Sequence, residues 1–264
     1  MRRRPRTATL HLVLPWETLR RLLGLPSDMS PPGSVELVRM ALDEPRRARL
    51  IGMALSGHTP KEPPAGMLMA ALDSGALAPE LAAELLGSVG HRAGYRAVRG
   101  MLFDAERSAA AAAAGVAMAR ILGQEASADL SLALRSAPTR QGREGAALGL
   151  TELGDVGATG LVTEAGRDGR IRVRTAARCL AGLPFDAEGW VARLDGEALE
   201  DRRLATEVVY VLVRKNDDES RARLEALGEP GRRAVRRALI DEALTMLPDK
   251  RDALLEWAGP GESS

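Results

Sequence analysis

Aromatic side chains are scarce in this sequence: three Trp, two Tyr and two Phe amount to 3% of 264 residues. A core without aromatic bulk must be filled by Ala, Leu, Val and Met. Ala and Leu are strong helix formers, whereas strands draw on β-branched and aromatic residues, so the shortage argues against a sheet. Cysteine is scarcer still. Cys179 stands alone, which excludes an intramolecular disulfide framework and any centre needing several thiolates. Between Arg178 and Leu180 on an apolar helix face, it reads as a small buried hydrophobe rather than a reactive thiol. The three histidines, His11, His58 and His91, lie near predicted helix ends or loops, and no two have metal-ligand spacing. Neither a Gly-x-Ser-x-Gly turn nor a phosphate-binding Gly-rich loop before a helix is present. No catalytic residue, metal or cofactor is expected.

Excess charge is missing as well. Thirty-seven basic residues against 36 acidic ones leave a formal net charge of +1, too little for a global field drawing the chain to nucleic acid or an anionic membrane. No apolar run is long enough to span a bilayer. Arg2, Arg3, Arg4 and Arg6 before the apolar stretch 10–16 resemble the start of a signal peptide. That stretch is short, contains His11 and runs into charged residues 17–21 without a cleavage pattern, so a cytoplasmic location is expected.

What is present is a repeat. A helix-ending Leu recurs at Leu55, Leu86, Leu122, Leu153, Leu183, Leu212 and Leu247, at steps of 29 to 36 residues, and in all but Leu212 is followed by Gly, Pro or a polar residue. That period suits one helix-turn-helix unit. Seven residues before five of these ends stands a small residue: Ala48, Gly115, Ala146, Ala176 and Ala205. Positions zero, three and seven before the end share one helical face, so Ala146/Leu150/Leu153, Ala176/Leu180/Leu183 and Ala205/Val209/Leu212 each form an apolar stripe that lets a neighbouring helix approach. Leu130, Leu161 and Val191, eight residues past three of the ends, read as equivalent packing positions on the following helices. Pro79 and Ile240 break the small-residue rule in the second and last units, as expected of atypical terminal repeats.

The pattern predicts an all-α chain of about seven stacked helix pairs, at 35–56, 65–87, 94–123, 126–154, 158–183, 188–214 and 220–247, with a half-unit at 250–257. Residues 1–33 read as an N-terminal arm and first helix, 34–258 as the repeat domain and 259–264 as a tail. Breakers at 27–33, 58–66, 168–169 and 228–230 read as turns, and 7–14 could form a short extended segment. Trp190 is expected in the core.

The stretch 168–183, Asp-Gly-Arg-Ile-Arg-Val-Arg-Thr-Ala-Ala-Arg-Cys-Leu-Ala-Gly-Leu, resembles the second helix of a short bacterial HEAT repeat: an Asp-containing turn, Val-Arg, paired Ala and a final Leu. Residues 143–155, ending Leu-Gly-Asp, are similar. The likeness runs from about 109 to 212. It implies an α-solenoid and, since most members are scaffolds or adaptors, a non-catalytic protein that holds a protein partner on its inner, concave surface. The same resemblance leaves open a nucleic-acid-binding or DNA-repair protein, against which stand the balanced charge and the lack of stacking aromatics, and a bilin-lyase-like enzyme, which no residue supports.

Arginine is the suggestive residue. Arg143, Arg172, Arg174, Arg178, Arg202, Arg203, Arg236 and Arg237 cluster in the first turns of successive second helices, interleaved with Glu144, Asp201, Glu207, Asp241 and Glu242. The resemblance places these helices on the inner curve. One reading is a ladder of inter-repeat salt bridges. The other is a partner-binding strip of Arg143, Arg174, Arg178 and Arg203.

Overall fold

The computed structural model describes residues 16–56 and 62–241. Every regular element among them is helical: α1 (Trp16–Leu22), α2 (Ser34–Asp43), α3 (Ala48–Leu55), α4 (Glu62–Asp73), α5 (Pro79–Val89), α6 (Tyr95–Phe103), α7 (Ala111–Leu122), α8 (Ser127–Ser136), α9 (Arg140–Leu153), α10 (Ala158–Arg167), α11 (Val173–Leu180), α12 (Ala187–Asp195), α13 (Leu199–Lys215), α14 (Asp218–Ala226) and α15 (Gly228–Asp241), with short 3-10 turns between some of them. No described helix is long and apolar enough to cross a membrane. The expectations for 1–15, for His58 and for 242–264, including Leu247, Trp257 and the half-unit 250–257, lie outside the described residues. The chain forms two compact units, Met1–Asp155 and Val156–Ser264.

In the first unit, the second helices of consecutive pairs form a row: α3 packs on α5, α5 on α7 and α7 on α9. The tightest approach joins α7 and α9, where both helices carry glycine at the contact. A Cβ on Gly115 would run into the Gly145 carbonyl, one on Gly145 into the Ala111 carbonyl, and one on Gly149 into the Gly115 carbonyl. The backbones therefore touch, and Ala146, Ala147 and Leu150 beside the contact are fully buried. Helix ends follow local chemistry. Thr139 accepts a hydrogen bond from the Gly142 N–H at 3.0 Å to start α9, and Gly154, at φ 62°, ends it.

The second unit repeats the row with different contents. Helix α11 packs on α13 and α13 on α15. Ala176 and Ala205 are fully buried here, as the small-residue rule requires, and so is Cys179. Phe185 and Trp190 stack with ring centroids 6.1 Å apart, flanked by the guanidiniums of Arg223, 5.4 Å from Phe185, and Arg193, 5.0 Å from Trp190. Arg223 also donates to the carbonyls of Ala181 at 2.7 Å and Leu183 at 3.2 Å, satisfying acceptors left over at the end of α11.

Three details of the sequence reading change. Of the positions eight past the helix ends, Leu130 is buried, but Leu161 and Val191 are half-exposed while their neighbours Val162 and Trp190 fill the core. Pro63–Pro64 and Pro230 sit inside the first turns of α4 and α15 rather than in loops, because a first-turn residue has no intrahelical acceptor for its N–H and tolerates proline. The small residue of the last pair is Ala234, 9% exposed and 29 residues after Ala205, in place of Ile240.

Candidate functional site

Ion pairs sort the arginines. In the first unit, partners 30 to 35 residues apart join equivalent helices of successive pairs: Arg49 to Glu80 and Glu84, Arg92 to Glu125, Arg99 to Asp129 and Arg120 to Glu152, all within 2.7 to 3.2 Å. The spacing equals the repeat period, so these are rungs between neighbouring repeats. At one rung Tyr95 also donates to Asp129. Hydrogen bonds from Tyr95 and Arg99 hold the Asp129 carboxyl below its ordinary range, while burial, and then Asp129 itself, push the Tyr95 hydroxyl up. In the second unit Arg167 meets Asp201 at 3.1 Å and Arg233 meets Asp195 at 2.9 Å. The ladder exists, but none of these arginines is among those the sequence had singled out.

The four arginines of the expected strip separate. Arg143 belongs to the first unit, is half-buried, and donates from Nη1 to the Ala137 carbonyl at 2.7 Å, at the end of α8. Arg174 and Arg178 on α11 and Arg203 on α13 belong to the second unit, are exposed, and have no ion-pair or hydrogen-bond partner among the described residues. Register explains the split. Counted from the buried alanines Ala146, Ala176 and Ala205, Arg174 and Arg203 each stand two residues before, whereas Arg143 stands three before. One residue is about 100° of rotation on a helix, so Arg143 faces a different neighbour. The residue equivalent to Arg174 on α9 is Glu144, which is buried at 9% exposure.

The same count reaches a residue the sequence reading passed over. Arg232 stands two before Ala234 and is exposed on α15, which gives Arg174, Arg203 and Arg232 at equal 29-residue steps on three successively packed helices. Arg178 lies one turn beyond Arg174 on the same side of α11. Its equivalent on α13 is Glu207, half-buried, so the patch carries one carboxylate among its guanidiniums. Asp201 is engaged with Arg167, and Arg170 is engaged with Glu164 and Asp168.

Helix α11 has an electrostatic conflict of its own. Its first turn holds Arg174 and no acidic residue, although the positive end of a helix macrodipole favours anions and disfavours cations. By contrast α13 begins with Glu200 and Asp201. Arg178, in the last turn of α11, stands at the favourable end.

Elsewhere the first unit has a shallow groove of about 450 Å³ across α3, α5 and α7, walled by Met53, Gly87, Ser88, Ala113 and Val116. The hydroxyls facing this region are spent within their own helices, Ser56 on the Gly52 carbonyl and Ser88 on the Glu84 carbonyl. His91 caps a 3-10 turn, its Nδ1 accepting from the Ala93 N–H at 3.2 Å. Among the described residues no group of His, Cys, Asp and Glu side chains is arranged to hold a metal ion.

Arg174, Arg203 and Arg232 thus stand exposed at one repeat spacing on helices that pack on one another. Comparison with protein-family models and with curated proteins finds no match to this chain.

Proposed function

We propose that the chain is a non-catalytic, HEAT-like helical-repeat scaffold that holds a protein partner on the exposed face of its second helices. In this reading the pairs α2/α3, α4/α5, α6/α7 and α8/α9 in the first unit, and α10/α11, α12/α13 and α14/α15 in the second, are the seven repeats of an α-solenoid. The partner surface centres on Arg174, Arg178 and Arg203. The observation that carries the reading is the repetition of exposed arginine at one position of successive second helices, with no carboxylate partner for Arg174 or Arg203 among the described residues. Repeat architectures present side chains in register along an extended face, which suits them to hold a partner segment.

The test compares capture by wild-type chain and by Arg174→Ala/Arg178→Ala from a lysate of the native cell. The scaffold reading expects a protein retained by the wild type and lost by the variant at equal helicity and melting temperature. Identical capture by both forms, or loss explained by unfolding of the variant, would remove this surface from the proposal.

A further inference from the structure

We infer that the α11/α13 arginines recognise an acidic, extended polypeptide segment through guanidinium–carboxylate pairs; this rests on the scaffold reading above and names the chemistry of its partner. The first argument is the uncompensated charge. On α11, Arg174 and Arg178 are exposed and meet no carboxylate among the described residues, and Arg174 is set at the helix end where a cation is disfavoured. Local choices that oppose the fold's own electrostatics, with no compensating contact inside the molecule, are expected where function imposes them. A carboxylate bound beside Arg174 satisfies both the guanidinium and the N-terminal end of α11.

The second argument is geometric. Arg174 and Arg178 start about 6 Å apart along the helix axis, from four residues at about 1.5 Å each. Carboxylates on residues i and i+2 of an extended chain are about 6.6 Å apart, so alternate acidic residues of a strand-like segment meet the two arginines in turn. Arg203 lies on the neighbouring helix, and packed helices stand about 8 to 10 Å apart, within reach of the next acidic residues of the same segment. A guanidinium takes a carboxylate in a bidentate pair, which adds direction to the attraction.

The surroundings favour a peptide over nucleic acid. Glu200 and Glu207 on α13 interrupt the positive face. A continuous phosphate backbone would be forced past them, whereas a peptide places its carboxylates singly. The near-zero net charge of the chain also supplies no long-range field of the kind that drives phosphate binding.

The experiment titrates the full chain into fluorescein-labelled octaglutamate, and separately into a labelled short DNA duplex, by fluorescence anisotropy. The variants are Arg174→Ala/Arg178→Ala, Arg203→Ala, Arg174→Lys/Arg178→Lys and, as control, Arg135→Ala, an exposed arginine of α8. We expect octaglutamate to bind the wild type, the double alanine variant to weaken binding about tenfold or more, Arg203→Ala to weaken it less, the lysine pair to restore part of it, and Arg135→Ala to leave it unchanged. Circular dichroism on each variant separates loss of binding from loss of fold. Absence of octaglutamate binding, or binding that ignores Arg174, Arg178 and Arg203, overturns the inference. So does tighter, salt-sensitive duplex binding that the double variant abolishes. If the double variant loses a captured protein while octaglutamate never binds, the acidic chemistry fails and the scaffold surface stands. If octaglutamate binding depends on the arginines while capture does not, the scaffold reading fails and the charge chemistry stands.

Discussion

The two units solve the same packing problem with different residues. In the first, α7 and α9 meet backbone to backbone through Gly115, Gly145 and Gly149, and arginines such as Arg49 and Arg120 are tied to carboxylates one repeat away. In the second, an Arg–Trp–Phe–Arg stack and a side chain reaching the carbonyls that end α11 replace part of that contact, and Arg174, Arg178 and Arg203 meet no partner among the described residues. At the register position two before the small residue, the first unit has Arg46, paired with Glu44 at 3.2 Å, Ala113 and buried Glu144, where the second has Arg174 and Arg203. Arginines tied to carboxylates one repeat away occur in both units, and at the position two before the small residue only the second holds arginines, Arg174 and Arg203, that meet no described partner. Helix packing dictates small residues at the contact, but it leaves the outward position free.

The sharpest way to break this comparison is at the glycine contact. Gly145→Ala places a methyl against the Ala111 carbonyl, where neither helix can yield without moving the other. The expected loss is about 3 kcal/mol or more, at or beyond the upper end of ordinary overpacking. Chemical denaturation should show it, and hydrogen exchange should place the lost protection in the first unit. Ala176→Leu in the second unit adds bulk where the Ala176 methyl already faces Gly166, and should cost about 1 to 3 kcal/mol. If the glycine variant proved the milder of the two, backbone contact would not be what distinguishes the first unit.

Arg223→Ala comes next. It removes charge-assisted bonds to the Ala181 and Leu183 carbonyls together with the cation–π contact to Phe185, and should cost about 2 kcal/mol in thermal or urea unfolding. A loss near zero would show that the aromatic stack does not stand in for close packing.

Asp217→Ala tests an end rather than a face. Asp217 accepts from the Ser220 N–H at 2.8 Å to start α14, and losing such a cap costs about 1 kcal/mol. Bonds from Ser220 and the Lys215 ammonium hold its carboxyl below the ordinary 3.8. A lowered folded pKa means the contribution is present above that ordinary value and is lost as pH falls through the folded one. The difference between wild type and variant should therefore be constant near neutrality and shrink only in strong acid. A difference that shrank between pH 7 and 5 would assign the effect to another group.

The smallest effect is expected at the arginines themselves. Arg174→Ala relieves a cation at a helix start and should leave stability unchanged or raise it by about 0.3 to 1 kcal/mol. Equal substitution at Arg120, which is paired with Glu152 at 3.0 Å, should lower stability slightly, within the about 0 to 1 kcal/mol of exposed pairs. Opposite signs in thermal melts would confirm that the paired and unpaired faces differ in kind. A measurable loss at Arg174 would reassign it to the internal ladder.

The buried alanines were legible in the sequence because burial of a small residue at a fixed distance from a helix end is a property of one helix and its period. Cys179, read as a small hydrophobe on an apolar helix face, and Trp190, expected in the core, are both buried. The arginine strip was only partly legible. Arg143 and Arg174 look alike as first-turn arginines, yet a slip of one residue relative to Ala146 turns Arg143 towards the Ala137 carbonyl.

Composition and periodicity determined that this chain is helical, where α3, α7 and α9 end and which small residues face a neighbour, since these depend on local propensity and on the 3.6-residue turn. Tertiary structure alone decided which glycines touch backbone, which carboxylate each arginine reaches, and which arginines are left in water. Those outcomes depend on the rotation and separation of a neighbour about thirty residues away, and a single helix's sequence does not encode the face its neighbour presents.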